Sequence, residues 1–216
     1  MNNSGKALPL KHFTSRANLL SILESQSLRL SSTDNWIDKN DAASVAAYKR
    51  VTGAGDVRVL CLAQGREMVH HWFTYAPNDG CCIMLNAEKL LAQFDGQASF
   101  LHGPVTYFSR QDISAKMLRE LPREKLPFIK RRPYECEQEY RVIWSAAAPP
   151  QNAAPAISIK GCIENVTLSP GFPGHEAQSL IDLLRDRYAL QTNRSRILNR
   201  EDWTSLFDNL PPSGVQ

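Results

Sequence analysis

The run Lys130-Arg131-Arg132-Pro133-Tyr134-Glu135-Cys136-Glu137-Gln138-Glu139-Tyr140-Arg141-Val142-Ile143-Trp144 holds the spacing in this chain that most suggests chemistry. Read as a strand beginning at Tyr134 or Glu137, it puts Glu135, Glu137, Glu139 and Arg141 on one face, because side chains two residues apart point the same way. Three like charges in a row are costly, and such a row is tolerated on a solvated sheet face or in a cleft. In a cleft, carboxylates at i and i+2 can accept hydrogen bonds from a sugar hydroxyl and set negative charge beside a developing oxocarbenium ion. Arg141 on the same face would hold one carboxylate in place and keep it ionised. The other face, Cys136, Gln138, Tyr140 and Val142, is not a clean apolar stripe, so neither face reads as pure core.

The elements that must position these groups are read from periodicity. Residues 8–13 are predicted as a first strand, and Thr14 or Ser15 as the cap of a helix with Leu19, Leu20, Ile22 and Leu23 on its apolar face. A brief extended piece at 27–30 leads to a polar loop carrying Asn35, Trp36, Asp38, Asn40 and Asp41. A helix through Tyr48 follows and ends before Gly53. Further strands are expected at 57–62, 80–85, 99–108, from Tyr134 or Glu137 to Trp144, and at 157–159 and 165–168. Helices are expected at 67–76, 86–94 and 112–121, and after Pro173-Gly174 with Ala177, Leu180, Ile181 and Leu184 as the buried face. The Ala- and Pro-rich stretch 146–156 reads as a surface loop, and the tail as a short strand or loop with a last turn around Trp203 to Leu206. Short strands mixed irregularly with helices predict an α+β fold, in one domain spanning 1–216 with its core at about 8–199.

Three ordered blocks resemble a known family. Lys11-His12-Phe13-Thr14-Ser15 before a Leu/Ile-rich helix, His71-Trp72-Phe73-Thr74-Tyr75-Ala76 before Gly80, and Tyr134-Glu135-Cys136-Glu137-Gln138-Glu139-Tyr140-Arg141 are similar to the signature blocks of the bacterial domain-of-unknown-function family 2971. The segment Ile163-Glu164-Asn165-Val166-Thr167-Leu168-Ser169-Pro170-Gly171 and the helix after it are similar to that family's closing block. The resemblance implies an ADP-ribosyltransferase-like fold, a split and strongly curved sheet that clamps NAD. It also implies an NAD-dependent activity in which nicotinamide leaves and ADP-ribose passes to an acceptor.

Carried over position by position, the resemblance makes His12 the contact to the adenosine ribose, with Thr14 beside it. Glu139 becomes the catalytic glutamate and Glu137 its partner two residues upstream. Tyr75 takes the middle position, where the usual form is Ser-Thr-Ser, and Trp72 lies one helical turn away, able to share the pocket wall or pack in the core. Arg141 supports the site, and Glu135 is a solvated neighbour. Asp38-Lys39-Asn40-Asp41 stands where the family usually has an Asn-Asp-Pro-Phe-Glu-like loop. The expected acceptor is a macromolecule, RNA or DNA or a protein side chain. Modifying an essential macromolecule would harm the host cell, which suggests a toxin of a toxin–antitoxin or phage-defence system with an antitoxin protein as partner. Transfer to water, an NAD glycohydrolase, uses the same residues. The alternative of another kind is a non-catalytic nucleic-acid- or protein-binding module in which Glu137 and Glu139 face solvent.

Composition bounds these readings. A chain of 216 residues, 43% hydrophobic and 22% charged, is ordinary for a globular protein. Its net charge of +3 is too small to mark a nucleic-acid binder by itself. Arginines 185, 187, 194, 196 and 200 cluster near the C-terminus, either as a solvated basic face or as a phosphate-attracting surface, and they tilt the acceptor slightly toward RNA. The five cysteines form no C-x-x-C pair and read as reduced thiols. Adjacent His70 and His71 do not make the i, i+4 pair that chelates well, so no metal is expected. No Walker or Gly-x-Gly-x-x-Gly loop and no Gly-x-Ser-x-Gly elbow is present. No window approaches the ~18 apolar residues of a membrane span, and the Met1 to Lys6 start lacks the apolar stretch of a signal peptide, so a cytoplasmic location is expected.

Overall fold

Alternating apolar positions and side-chain-capped helical runs produce eleven strands and seven α-helices among the described residues of the computed structural model, which are 8–34, 36–149 and 155–208. The first half runs β1 (Leu10–Thr14), α1 (Arg16–Ser25), β2 (Ser27–Arg29), α2 (Lys39–Thr52), β3 (Asp56–Ala63), α3 (Val69–Tyr75), β4 (Cys81–Leu85), α4 (Ala87–Ala92) and β5 (Phe100–Pro104). The second half runs β6 (Thr106–Phe108), α5 (Ala115–Glu120), β7 (Ile129–Arg131), β8 (Glu139–Ala146), β9 (Ala156–Ser158), β10 (Ile163–Leu168), α6 (Gly174–Tyr188), β11 (Thr192–Arg194) and α7 (Glu201–Asp208). Two 3₁₀ helices, Arg123–Phe128 and Arg132–Glu137, flank β7. The fold is α+β, as the pattern predicted.

Seven strands form one sheet in the order β11-β10-β4-β1-β3-β8-β5, antiparallel throughout except for β10 with β11. Its backbone is the β3–β8 pair, matched from Asp56↔Ala146 to Ala63↔Glu139. Beside it the sheet splits. β1 pairs with β4 at five positions but with β3 only at Lys11↔Ala63. Farther along, Ser31 takes the free edge of β3 through a bridge to Val59, with both N–H···O contacts at 2.9 Å. A wedge therefore opens between β1 and β3.

Each face of the sheet is covered. On one, Leu60, Leu62, Tyr140, Val142 and Trp144 join Leu10, Ile83 and Leu85 in the main core, sealed by Leu19 and Leu23 of α1, Leu90 of α4 and Leu180 and Leu184 of α6. On the other, Val57, Val59 and Ile143 pack against Val45 and Tyr48 of α2 and against Leu126 and Phe128 of the first 3₁₀ helix. Of the two faces of β8, neither expected to be pure core, Tyr140, Val142 and Trp144 line the main core, while Ile143 shares its face with the charged Glu139 and Arg141.

Local chemistry explains where the element boundaries moved. Pro133 at the start of Arg132–Glu137 suits the first turn of a helix, and Gln138 adopts a left-handed φ of 45°, so the strand starts at Glu139. The expected single strand 99–108 divides into β5, which pairs with β8 and ends where Val105 N–H donates to the Glu139 carbonyl at 2.9 Å, and β6, which pairs with β7 instead. Ser15, whose side chain accepts from Asn18 N–H, caps α1, while Thr14 ends β1. Of the expected loop 146–156, residues 150–154 lie outside the described residues, as do Asn35 of the polar loop and the Met1 to Lys6 start. Among the described residues no helix is long and apolar enough to cross a membrane.

The turn Pro77-Asn78-Asp79-Gly80 brings β4 against the end of α3. A Cβ on Gly80 would come within 2.4–2.5 Å of the Cα, carbonyl carbon and oxygen of Ala76, which is itself fully buried. Backbone, not a side-chain tip, would have to move. Gly80→Ala should lower stability by about 1–3 kcal/mol in urea unfolding, whereas Gly174→Ala, where a Cβ meets nothing within 4 Å, should change it by less than about 0.5 kcal/mol.

Candidate active site

The wedge between β1 and β3 opens into a cleft of about 730 Å³. Lys11, His12 and Phe13 of β1 and His70, His71, Thr74 and Tyr75 of α3 form one wall; Val59 to Ala63 of β3 form the floor. Trp36, Ile37 and Asp38, before α2, stand across from them, and Arg29 and Ser31 close one end. Asp41, Lys130, Tyr134, Glu137 and Glu139 complete the lining.

Behind that last group lies a buried ionic cluster. Arg141 is fully buried on β8, and its Nε donates to Glu139 Oε1 at 2.6 Å, its Nη2 to Glu139 Oε2 at 3.0 Å. The same Nη2 donates to both oxygens of Asp41 at 2.6 and 2.7 Å, and Nη1 donates to the Pro127 carbonyl at 2.7 Å. Trp36 covers the guanidinium, its ring centroid 5.4 Å away. Lys130 Nζ sits among three carboxylates, donating to Glu137 Oε2 and to Glu139 Oε2 at 2.9 Å, and lying 3.2 Å from Asp41 Oδ2. Two cations thus face three acids, leaving one negative charge in excess beside the cleft.

Each partner is delivered by a separate element. Asp38 caps α2 by accepting from the N–H groups of Asn40 and Asp41, which fixes the first turn and aims Asp41 inward. Lys130 comes from β7, whose pairing with β6 places Tyr107 opposite it. The Tyr107 hydroxyl accepts from the Glu139 N–H at 2.8 Å, where the β3–β8 ladder ends. Register sets Cys61 of β3 opposite Arg141, and its thiol hydrogen-bonds the Glu139 carboxylate.

The environment sets the charge states. Burial opposes ionisation of Glu139, but the charge and hydrogen bonds of Arg141, with the charge of Lys130, outweigh it and hold the carboxyl down to about 2. For Asp41 burial prevails over the same two cations, and its pKa is raised. Burial would also lower Lys130 and Arg141, yet both are raised, chiefly by Glu139. Tyr75 is raised by burial and by its hydrogen bond to Glu137, and Cys61, which faces the cleft, is raised by desolvation within it and by Glu139. Burial brings His12 down to about 4, so its ring is neutral at physiological pH.

The structure sorts the residues expected from sequence. His12 lies in the split, its ring bonded to the Cys61 backbone and its Nδ1 without a hydrogen-bond partner. Tyr75 lines the cleft and donates to Glu137 Oε1 at 2.7 Å. Glu139 and Glu137 are buried at the cleft wall, although only Glu139 is on the strand; Glu137 reaches the same place from the 3₁₀ helix, and Glu135 is exposed on it. Three of the residues expected at the site, Trp72, Thr14 and Arg141, lie outside the cleft lining and are not placed to contact a cofactor there. Trp72 points away from the cleft into a small core with Phe13, Ala76 and Cys82, its indole N–H given to Glu67. Thr14 is buried at the end of β1 outside the cleft lining. Arg141 is sealed beneath Glu139 and Trp36 and does not reach the cleft.

Lys130, Asp41, Cys61, Tyr107 and His70 join the site without having been singled out by sequence. Asp41 was visible only as part of the Asp38-Lys39-Asn40-Asp41 loop, and Lys130 only as the first residue of the charged run. Comparison with protein-family models and with curated proteins finds no match for this chain.

Removing Arg141 would leave Glu139 and Asp41 buried without their main counter-charge. Arg141→Gln should cost about 3–5 kcal/mol at neutral pH in urea unfolding. The folded pKa of Glu139 lies below its ordinary 4.5, so its ionisation stabilises the fold above that value, and the stabilisation is lost as pH falls toward about 2. The gap between wild type and Arg141→Gln should accordingly be widest above pH 4.5 and narrow on acidification.

Proposed function

We propose that this chain is an NAD-dependent ADP-ribosyltransferase, with the ADP-ribosyltransferase-like split sheet and the likeness to family 2971 that its ordered blocks suggest. The observation that carries the reading is the place of Glu139: an ionised carboxylate, locked by Arg141 and Lys130, at the wall of the cleft opened by the split between β1 and β3.

The residues present suit NAD. A dinucleotide needs apolar surface for its rings, a cation for its diphosphate and polar groups for its riboses. Phe13 and Tyr75 offer ring surface, and Arg29 lines the cleft with no acidic partner among the described residues. His12 Nδ1 and His70 Nε2 have no hydrogen-bond partner, and both residues line the cleft. Such unpaired polar atoms are costly unless a ligand or water engages them. In the reaction the bond between ribose C1 and the nicotinamide nitrogen breaks, the electron pair leaving with nicotinamide. The fixed carboxylate of Glu139 stabilises the cationic ribose, and the excess negative charge of the cluster favours it over the neutral product. Tyr75, protonated at neutral pH, flanks the cleft and anchors Glu137.

We take the acceptor to be a macromolecule, and a toxin role with a neutralising partner protein remains part of the proposal. The C-terminal arginines give little support to RNA, since Arg185, Arg187 and Arg200 are paired with Asp182 and Asp186, Glu24 and Asp202. The test is incubation of the purified chain with adenylate-labelled NAD and separate pools of RNA, DNA and cell protein. Label in one pool identifies the acceptor, and free ADP-ribose alone assigns it to water. Glu139→Gln should keep the fold and lower NAD turnover by about 10²–10³-fold. Turnover at the wild-type rate in that variant would sink the catalytic reading in favour of a binding module. Because Glu139 stays ionised down to about pH 2, its titration should contribute no acidic limb to the wild-type profile above pH 4.

A further inference from the structure

The acceptor's proton needs a destination that Glu139 cannot supply. Both Glu139 oxygens already accept from Arg141, and Oε2 accepts from Lys130 as well, so protonating this carboxylate would forfeit the charged contacts that hold it, which makes it a poor base. Lys130 has a second consequence. Its ammonium fills the space between Glu137 and Glu139 that a cationic acceptor would otherwise occupy.

A different base faces the cleft. His70 projects from the second residue of α3, half-exposed and lining the cavity, with its Nε2 lacking a hydrogen-bond partner and lying 3.7 Å from Glu137 Oε1. That gap is too long for a hydrogen bond and close enough for a strong charge pair once the ring is protonated. Nδ1 of the same ring lies 3.4 Å from Thr74 Oγ1, one helical turn on. Donation of an Nδ1 proton to Thr74 leaves the lone pair on Nε2, on the side of Glu137. Glu137 itself is anchored by the Tyr75 hydroxyl at 2.7 Å, by Lys130 and, through its backbone carbonyl, by His71 Nε2 at 2.9 Å.

We propose that His70, backed by Glu137, is the general base of the transfer and that the acceptor is a neutral protic nucleophile, a hydroxyl or an uncharged nitrogen–hydrogen group. This rests on the ADP-ribosyltransferase reading above. The acceptor's oxygen or nitrogen bonds to ribose C1 as the bond to nicotinamide breaks, nicotinamide leaves uncharged with the electron pair, and the acceptor's proton moves to His70 Nε2. The resulting imidazolium faces Glu137, then loses its proton through the exposed ring edge. The titratable groups facing His70 are Glu137 from the 3₁₀ helix and, on α3 itself, Tyr75 and His71, with ring centroids at 6.0 and 6.4 Å; Lys130 stands behind Glu137.

The test uses the full chain with NAD and water as acceptor, read as nicotinamide release across pH, together with agmatine as a guanidinium probe. His70→Gln should lower turnover by about 10²-fold or more and change its dependence on pH. In His70→Ala, added imidazole should restore part of the rate. Agmatine should not compete with water. Wild-type rates and an unchanged pH profile in both His70 variants would overturn the dyad, as would efficient transfer to agmatine for the neutral acceptor. If Glu139→Gln is inactive while His70→Gln is fully active, the dyad alone fails. If wild type leaves NAD intact, or Glu139→Gln turns it over normally, the transferase reading fails and takes the dyad with it.

Discussion

The guanidinium of Arg141 is the contact on which the rest of this structure turns. It ties the first turn of α2 through Asp41, the start of β8 through Glu139 and the first 3₁₀ helix through the Pro127 carbonyl, under the cover of Trp36. Isolated burial of that charge would cost many kcal/mol, and the cost is offset because each of its three nitrogens meets an oxygen. The constraint runs both ways. The carboxylates need Arg141 to stay ionised, and Arg141 needs the helix, strand and turn in these places.

Lys130 adds a second cation, and with it a division of labour among acids that look alike in sequence. Glu139 is locked and ionised, Asp41 is buried and structural, and Glu137 keeps an oxygen toward Tyr75 and His70. A locked carboxylate suits electrostatic stabilisation, because it needs no reorganisation when positive charge develops beside it. The same locking makes it a poor base. Chemistry that needs a base at this cleft must therefore recruit another group, and the unpartnered ring nitrogen of His70 lies beside Glu137.

The split in the sheet is what makes a cleft possible at all. A continuous β1–β3 ladder would bury the edge that now carries His12 on one side and Cys61 on the other. One paired position, Lys11↔Ala63, holds the two halves in register, and Ser31 satisfies the backbone of β3 beyond it. Backbone groups that would be orphaned by opening the sheet are thus paired by a loop instead, which leaves the side chains facing the cavity.

Period-2 and period-3.6 patterning determined the α+β class and most elements, because alternation along 57–62 and the Ala177–Leu184 face record which side of a strand or helix is dry. Glu137, Glu139 and Arg141 stood out by their spacing, whereas His12 and Tyr75 were picked out only by the resemblance of the ordered blocks. Sequence could not decide that Glu137 leaves the strand, because that depends on Pro133 starting a turn and Gln138 taking a positive φ. Nor could it tell that Trp72 faces core while Tyr75 faces the cleft, as an isolated seven-residue helix has no fixed rotation until β1 and β4 pack on it. The hold of Arg141 on Glu139 was legible from their spacing, but the roles of Lys130 and Asp41, and the tie of Arg141 to Asp41, belong to tertiary structure alone. Asp41 and Arg141 are separated by 100 residues, and only folding brings such charges close enough, and dry enough, for each to set the other's state.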